Sequence, residues 1–288
     1  MNDIIKQIQE LLNAEEKSGK SIDTDRINER LSAMVKHHNN TPCDNNDGLS
    51  PEQMHNLIHH PFESGCVVGI NQLEKGCYQQ IPLLRQALFL MTTLSEAELK
   101  LTKLGWLPLK IVAEAYHLGQ PEYIIEKYNQ KRINEYDAPS VRMARDILYL
   151  LGWVKTRKGI ISLTVKGKKT LNDIDAAANE ILLCALTGIG LHTFDLFEDE
   201  RIGNVGIAYS VWLLNKFGDK WHTGRFYQRH YQKVFDYPDI YNIYETRVFE
   251  RLFYWLGLVD IRENKAASIS LNWEYRKTEL LSLIFKFK

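Results

Sequence analysis

Residues 139–171 leave this chain little choice of local structure. Pro139 or Ser140 starts a helix, because serine caps orphan amides and proline is tolerated in a first turn. Val141, Ala144, Ile147, Leu148 and Leu151 recur at helical spacing and share one arc. Arg142, Arg145, Asp146 and Tyr149 fall on the opposite arc. Gly152 is placed to stop the helix in a left-handed conformation. Trp153 to Arg157 alternates as a strand, Lys158-Gly159 makes a turn, and Ile160 to Thr164 returns. Thr164 then caps the next helix. A two-stranded hairpin is marginal alone, so it must lie on the helix before it.

This segment resembles the winged helix-turn-helix repressors of the multiple-antibiotic-resistance type. The likeness rests on Leu150-Leu151-Gly152-Trp153-Val154, the basic hairpin, and Leu163-Thr164-Val165-Lys166-Gly167. It implies a recognition helix followed by a wing. In that reading Ser140, Arg142 and Arg145 face the major groove, while Lys155, Arg157 and Lys158 form a wing over the phosphate backbone. Loss of Arg142 and Arg145 should then weaken DNA binding.

The design recurs at Glu245–Val259, where Val248, Phe249, Leu252, Phe253 and Leu256 line one arc and Arg247, Glu250, Arg251 and Tyr254 the other. Gly257 matches Gly152 at a spacing of 105 positions, which favours an internal duplication. Strands over 258–262 and 268–272 would form the second hairpin, turning at Asn264-Lys265. Leu271-Asn272-Trp273-Glu274-Tyr275 stands where the Leu-Thr-x-x-Gly step should be, so this copy reads as degenerate.

Charge separates the two copies. Between 140 and 170 there are eight Lys and Arg residues and one acid, Asp146, in a chain of net charge zero. Between 245 and 265 four acids meet four bases. Only the first copy has an electrostatic reason to meet phosphates.

Elsewhere, periodicity predicts helices over 2–18 and from Thr24, with Ile27, Leu31, Met34 and Val35 inside, then a linker over 37–48. Ser50-Pro51-Glu52-Gln53 is a capping-box start. A short extended segment fits 66–73, and helices fit 83–94, 108–118, 121–133, 165–186, 205–217 and 223–235. Domain boundaries are expected after residue 44 and after Gly188-Ile189-Gly190, giving segments 1–44, 45–190 and 191–288. The Leu-Ser-Pro-Glu-Gln-Met helix and the Leu-Thr-x-x-Gly and Leu-Pro-x-Lys steps after it are similar to a bacterial, partly plasmid-borne open-reading-frame family over residues 49–118. That likeness implies a bacterial source and carries no catalytic residue.

Other chemistry finds little support. His37, His38, Cys43, His55, His59, His60, Cys66 and Cys77 crowd one region, with His55 and His59 at i, i+4. Asn56 nevertheless occupies the place of a zincin glutamate, and no Cys-x-x-Cys pair exists, so no metal is expected. Gly188-Ile189-Gly190 lacks a P-loop lysine, and His192 and Asp195 read as a solvated turn. Tyr227, Tyr231, Tyr237, Tyr241 and Tyr244 could serve a ligand or an interface, but their near-helical spacing reads first as core or half-buried rings. No cofactor and no catalytic set is expected, hence no enzyme. Four cysteines make no disulfide framework, no apolar run reaches a membrane span, and no signal-peptide block opens the chain, so a cytoplasmic location is the expectation.

The sequence thus reads as mainly α, with tandem winged-helix-like units bearing short β-hairpins and an N-terminal helical segment. Its partner is double-stranded DNA in a regulatory or mobile-element setting. Alternatively, the units serve protein–protein contact, including a homodimer, without DNA affinity.

Overall fold

The computed structural model describes residues 24–238, 241–264 and 273–288, together with Lys6, Gln9, Glu10 and Asn13. The helix expected over 2–18 and the strand expected over 268–272 lie outside the described residues, apart from those four. The chain divides into two compact units, Met1–Val67 and Val68–Lys288.

In the first unit, α1 (Thr24–Asn40) buries Ile27 and half-buries Leu31 and Met34, whereas Val35 is exposed. It runs through His37 and His38, so the linker begins later than composition suggested. The capping box opens α2 (Pro51–His59) as expected: the Gln53 amide donates to Ser50 Oγ at 3.2 Å, and the Ser50 amide donates to Gln53 Oε1 at 2.9 Å. The His55 and His59 rings lie 4.6 Å apart. Among the described residues no group of three or more His, Cys, Asp or Glu side chains is arranged to hold a metal ion.

The second unit is mainly helical, with one two-stranded and two three-stranded sheets. Its first strand, β1 (Val68–Ile70), pairs with its last, β8 (Phe285–Phe287). Between them, α3 (Pro82–Glu96) is buried on most sides, with Leu83, Leu84, Ala87 and Met91 fully enclosed. It packs on α4 (Leu109–Tyr116), α6 (Pro139–Leu150) and α8 (Ile174–Thr187). The helix expected over 121–133 is only α5 (Tyr123–Lys127). The single helix expected over 165–186 is two: α7 (Val165–Thr170) stops, and Asp173 caps α8 by accepting the Ala176 amide at 2.9 Å. Across residues 188–190, Arg142 on α6 donates to the Thr193 carbonyl at 3.1 Å.

One helix–glycine–hairpin arrangement occurs twice. First, α6 ends at Gly152, with φ +69°. β3 (Val154–Arg157) and β4 (Ile160–Leu163) follow, and β2 (Leu99–Lys100) joins them in the order β2-β4-β3. Lys158 and Gly159 both take positive φ in the turn. The Thr164 amide donates to the Trp153 carbonyl at 2.9 Å and its hydroxyl to the Gly152 carbonyl at 2.8 Å.

The second time, α9 (Ile207–Phe217), β5 (His222–Thr223) and α10 (Gly224–Val234) precede a helix whose Glu245–Phe253 portion, α11, is π-wound. Gly257 has φ +73°, and β6 (Val259–Glu263) and β7 (Trp273–Lys277) join β5 in the order β5-β7-β6. The Thr278 amide donates to the Leu258 carbonyl at 2.9 Å and its hydroxyl to the Gly257 carbonyl at 2.6 Å. The short helix α12 (Leu280–Ile284) comes next. Thr278 therefore holds the place of Thr164, not Asn272 as the sequence expected.

Arg247 is not on an outer arc. It is fully buried and forms a two-point ion pair with Asp195, Nε to Oδ2 and Nη2 to Oδ1, both at 2.8 Å. Arg251 adds a third contact to Asp195 at 3.1 Å. Hydrogen bonds and charge from Arg247 hold the Asp195 carboxyl below its usual range against its burial. Asp195 is thus a core ion-pair residue, not part of a solvated turn. Tyr227, Tyr231 and Tyr244 are core rings, Tyr237 is half-buried, and Tyr241 is exposed. Among the described residues no helix is long and apolar enough to cross a membrane.

Candidate nucleic-acid interface

Four of the five residues of the inner arc of α6 are fully buried, Val141, Ala144, Ile147 and Leu148, while Leu151 at its end is half-buried; Met143, outside that arc, is fully buried too. The hairpin lies against this body through Val154, Ile161 and Leu163. Tyr149 Oη and Thr156 Oγ1 are in hydrogen-bonding contact, tying the helix to β3. Gly167 explains the final glycine of the Leu-Thr-x-x-Gly step, because a Cβ there would lie 2.2 Å from the Trp153 carbonyl oxygen.

The polar arc of α6 behaves differently from expectation. Ser140 is buried, accepts from Gln86 Nε2 at 3.3 Å, and offers nothing to a groove. Arg145 is 13% exposed and donates to Glu135 Oε2 at 2.7 Å and to the Gly105 carbonyl at 3.1 Å. Glu135 is fully buried and also accepts the Leu107 amide at 2.8 Å. Burial pushes its carboxyl up, opposed by the Arg145 charge. Arg142 lies 3.5 Å from Asp146, and its guanidinium sits 5.2 Å from the Phe194 ring centre. Arg145 also approaches Asp146, at 3.4 Å. The two helix cations are therefore balanced by two carboxylates and aimed at the protein. The spacing identified the polar arc but not the loops around 105–107, 135 and 193–194 that cover it.

Lys155, Arg157 and Lys158 are exposed. The sheet register explains their common presentation. Lys155 lies opposite Ser162, Arg157 opposite Ile160, and Lys100 on the other side of Ile160. Alternation puts Lys100, Lys155 and Arg157 on one sheet face, with Lys158 at its turn. Lys168 and Lys169 on α7 are exposed as well. None of these six cations forms an ion pair or hydrogen bond with another described residue. Lys100 was missed because it lies more than fifty positions upstream in the sequence; only strand pairing brings it to the hairpin.

The second hairpin is wired the other way. Arg262 lies opposite Glu274 and approaches it to 2.6 Å, and Asp260 lies opposite Arg276 at 2.9 Å. Both guanidiniums also rest on Trp221, at 4.4 and 4.8 Å from the ring centre. Each strand cation here has its counter-ion built in. Comparison with known protein families, curated proteins and solved structures finds no match to the chain.

Proposed function

We propose that this is a nucleic-acid-binding protein built on two winged-helix units, of which the first holds duplex DNA by its phosphate backbone. The observation that carries the reading is the unpaired cationic face formed by Lys100, Lys155, Arg157 and Lys158. Such a face gains free energy by releasing counter-ions from a polyanion. Because Ser140 and Arg145 are engaged inside the protein, the wing supplies most of the contact and α6 reads few bases. Backbone contact of this kind positions a protein without selecting sequence. A regulatory or mobile-element role fits a binder that is directed to its site by something else.

The second winged-helix copy serves contact with protein, a reading favoured by the cross-strand ion pairs that neutralise its hairpin. The test is binding of a labelled random-sequence duplex. Affinity should fall steeply between about 50 and about 200 mM salt. The combined variant Lys155→Glu, Arg157→Glu, Lys158→Glu should remove binding with its melting temperature unchanged. Equal binding by that variant at low salt would overturn the proposal.

A further inference from the structure

A cavity of about 300 Å³ opens between α5 and the second hairpin, lined by Pro121, Glu122, Tyr123, Glu126, Glu250, Tyr254, Ile261 and Trp273. Its volume lies at the small end of the range for small-molecule sites. The chemistry of its wall is one-sided. Tyr254 Oη is already spent on the Pro121 carbonyl at 3.1 Å, and Tyr116 Oη, behind the wall, on Glu126 at 2.8 Å. Two acceptors of the wall, on Glu122 and Glu250, are not spent. Glu122 Oε1 is buried and has no hydrogen-bond partner. Glu250, on the π-wound α11, makes no hydrogen bond or ion pair with any described residue. A buried carboxyl oxygen left without a donor is costly even where its sister oxygen is served, as Ser140 serves Glu122, and native proteins seldom keep one without a use. Arg251 acts on both carboxyls but is itself paired with Asp195, so a ligand that brings donors and positive charge suits the wall.

We infer that this cavity binds a small organic cation, a guanidinium or primary amine on a short aliphatic stem, between Glu122 and Glu250. The aromatic walls favour the same class. Tyr123 and Trp273 meet edge to face with centroids 5.2 Å apart, and Tyr254 adds a third ring. Ring faces attract cations most strongly where water is excluded. On the outer side of the wall the exposed Lys127 ammonium lies 5.2 Å from the Tyr123 ring centre. A bare metal ion fits less well, since the described carboxylates do not converge into a metal-holding group. The π-wound backbone carrying Glu250 is also a conformation common at functional sites.

Calorimetric titration with agmatine tests the inference, with putrescine as the amine counterpart and acetate as the anionic control. The chain should bind agmatine saturably and ignore acetate. Glu250→Gln, which keeps the side chain's shape, should weaken binding about tenfold or more, as expected for a lost charge-assisted contact. A second readout guards against loss of fold: the indole N–H resonance of Trp273 should shift on titration in the parent chain and not in Glu250→Gln. No saturable binding by agmatine or putrescine, or equal affinity in the Gln variant, would overturn the inference. The DNA-binding reading stands or falls separately, because the wing residues take no part in this cavity.

Discussion

Arg145 and Glu135 form a nearly enclosed ion pair, 2.7 Å apart, in which Glu135 has no exposed surface. The pair joins α6 to the loop before it, and the same guanidinium holds the Gly105 carbonyl. Removing Arg145 leaves a carboxylate with no counter-charge in a dry site. Arg145→Ala should cost about 3 kcal/mol of stability, a loss typical of breaking a buried pair. Denaturant unfolding measures it. If the variant stays folded, its affinity for duplex DNA at low salt should match the parent's, whereas a groove-reading arginine would lose affinity without losing stability.

Salt dependence gives the wing a number. Four phosphate contacts would yield a slope of log K against log salt of about −3.6, at about 0.9 per neutralised phosphate. Lys100→Gln alone should make the slope shallower by about 0.9 and leave the melting temperature unchanged. Anisotropy titrations across a salt series decide this. In contrast, Arg262→Gln with Arg276→Gln on the second hairpin should leave the slope as it is.

Glu122 sets a pH dependence. Burial pushes its carboxyl up to about 7, opposed by the Ser140 hydroxyl and amide and by the Arg251 charge. Its folded value thus lies above its unfolded one. In such a case the folded chain holds a proton that the unfolded chain has released, and stability falls as pH rises. The window runs from the unfolded carboxylate range near 4.5 up to about 7. Glu122→Gln removes this dependence. Its melting temperature relative to the parent should climb between pH 5 and pH 7 and then level off. A difference that stays flat over that range would show that Glu122 does not titrate there.

Caps offer a local check. Thr164 Oγ1 accepts the Gly167 amide at 3.0 Å, and its hydroxyl also reaches the Gly152 carbonyl. Thr164→Ala should cost about 1 kcal/mol, as for other lost caps. Thr278→Ala should cost a similar amount, because Thr278 Oγ1 accepts the Leu280 amide at 3.2 Å and its hydroxyl donates to the Gly257 carbonyl. Equilibrium unfolding of the two variants compares them directly.

Local signals in the sequence were legible where a few neighbouring residues decide the outcome. Gly152, the Lys158-Gly159 turn, the Thr164 cap and the Ser50–Gln53 capping box all form as read. The second hairpin's register was not legible: Val259 lies opposite Lys277 and Glu263 opposite Trp273. Thr278, without a following Gly at the right spacing, carries no motif to mark it as the counterpart of Thr164. Periodicity told which side of α6 is apolar, yet it is silent on what covers the polar side. Arg145 meets Glu135 across a loop, and Arg247 meets Asp195 from 52 positions away. The cavity was invisible for the same reason: its wall is assembled from residues 121–126, 250–254, 261 and 273.

The pairing of β1 with β8 has a mechanical consequence. Val68 lies opposite Phe287, so the two ends of the second unit leave from the same side of an antiparallel ladder of three residue pairs. A force applied to those ends meets the hydrogen bonds one rung at a time, as a zipper is opened, instead of shearing them together. Under load the unit should yield first at this seam, at low force, while the two hairpin sheets remain closed.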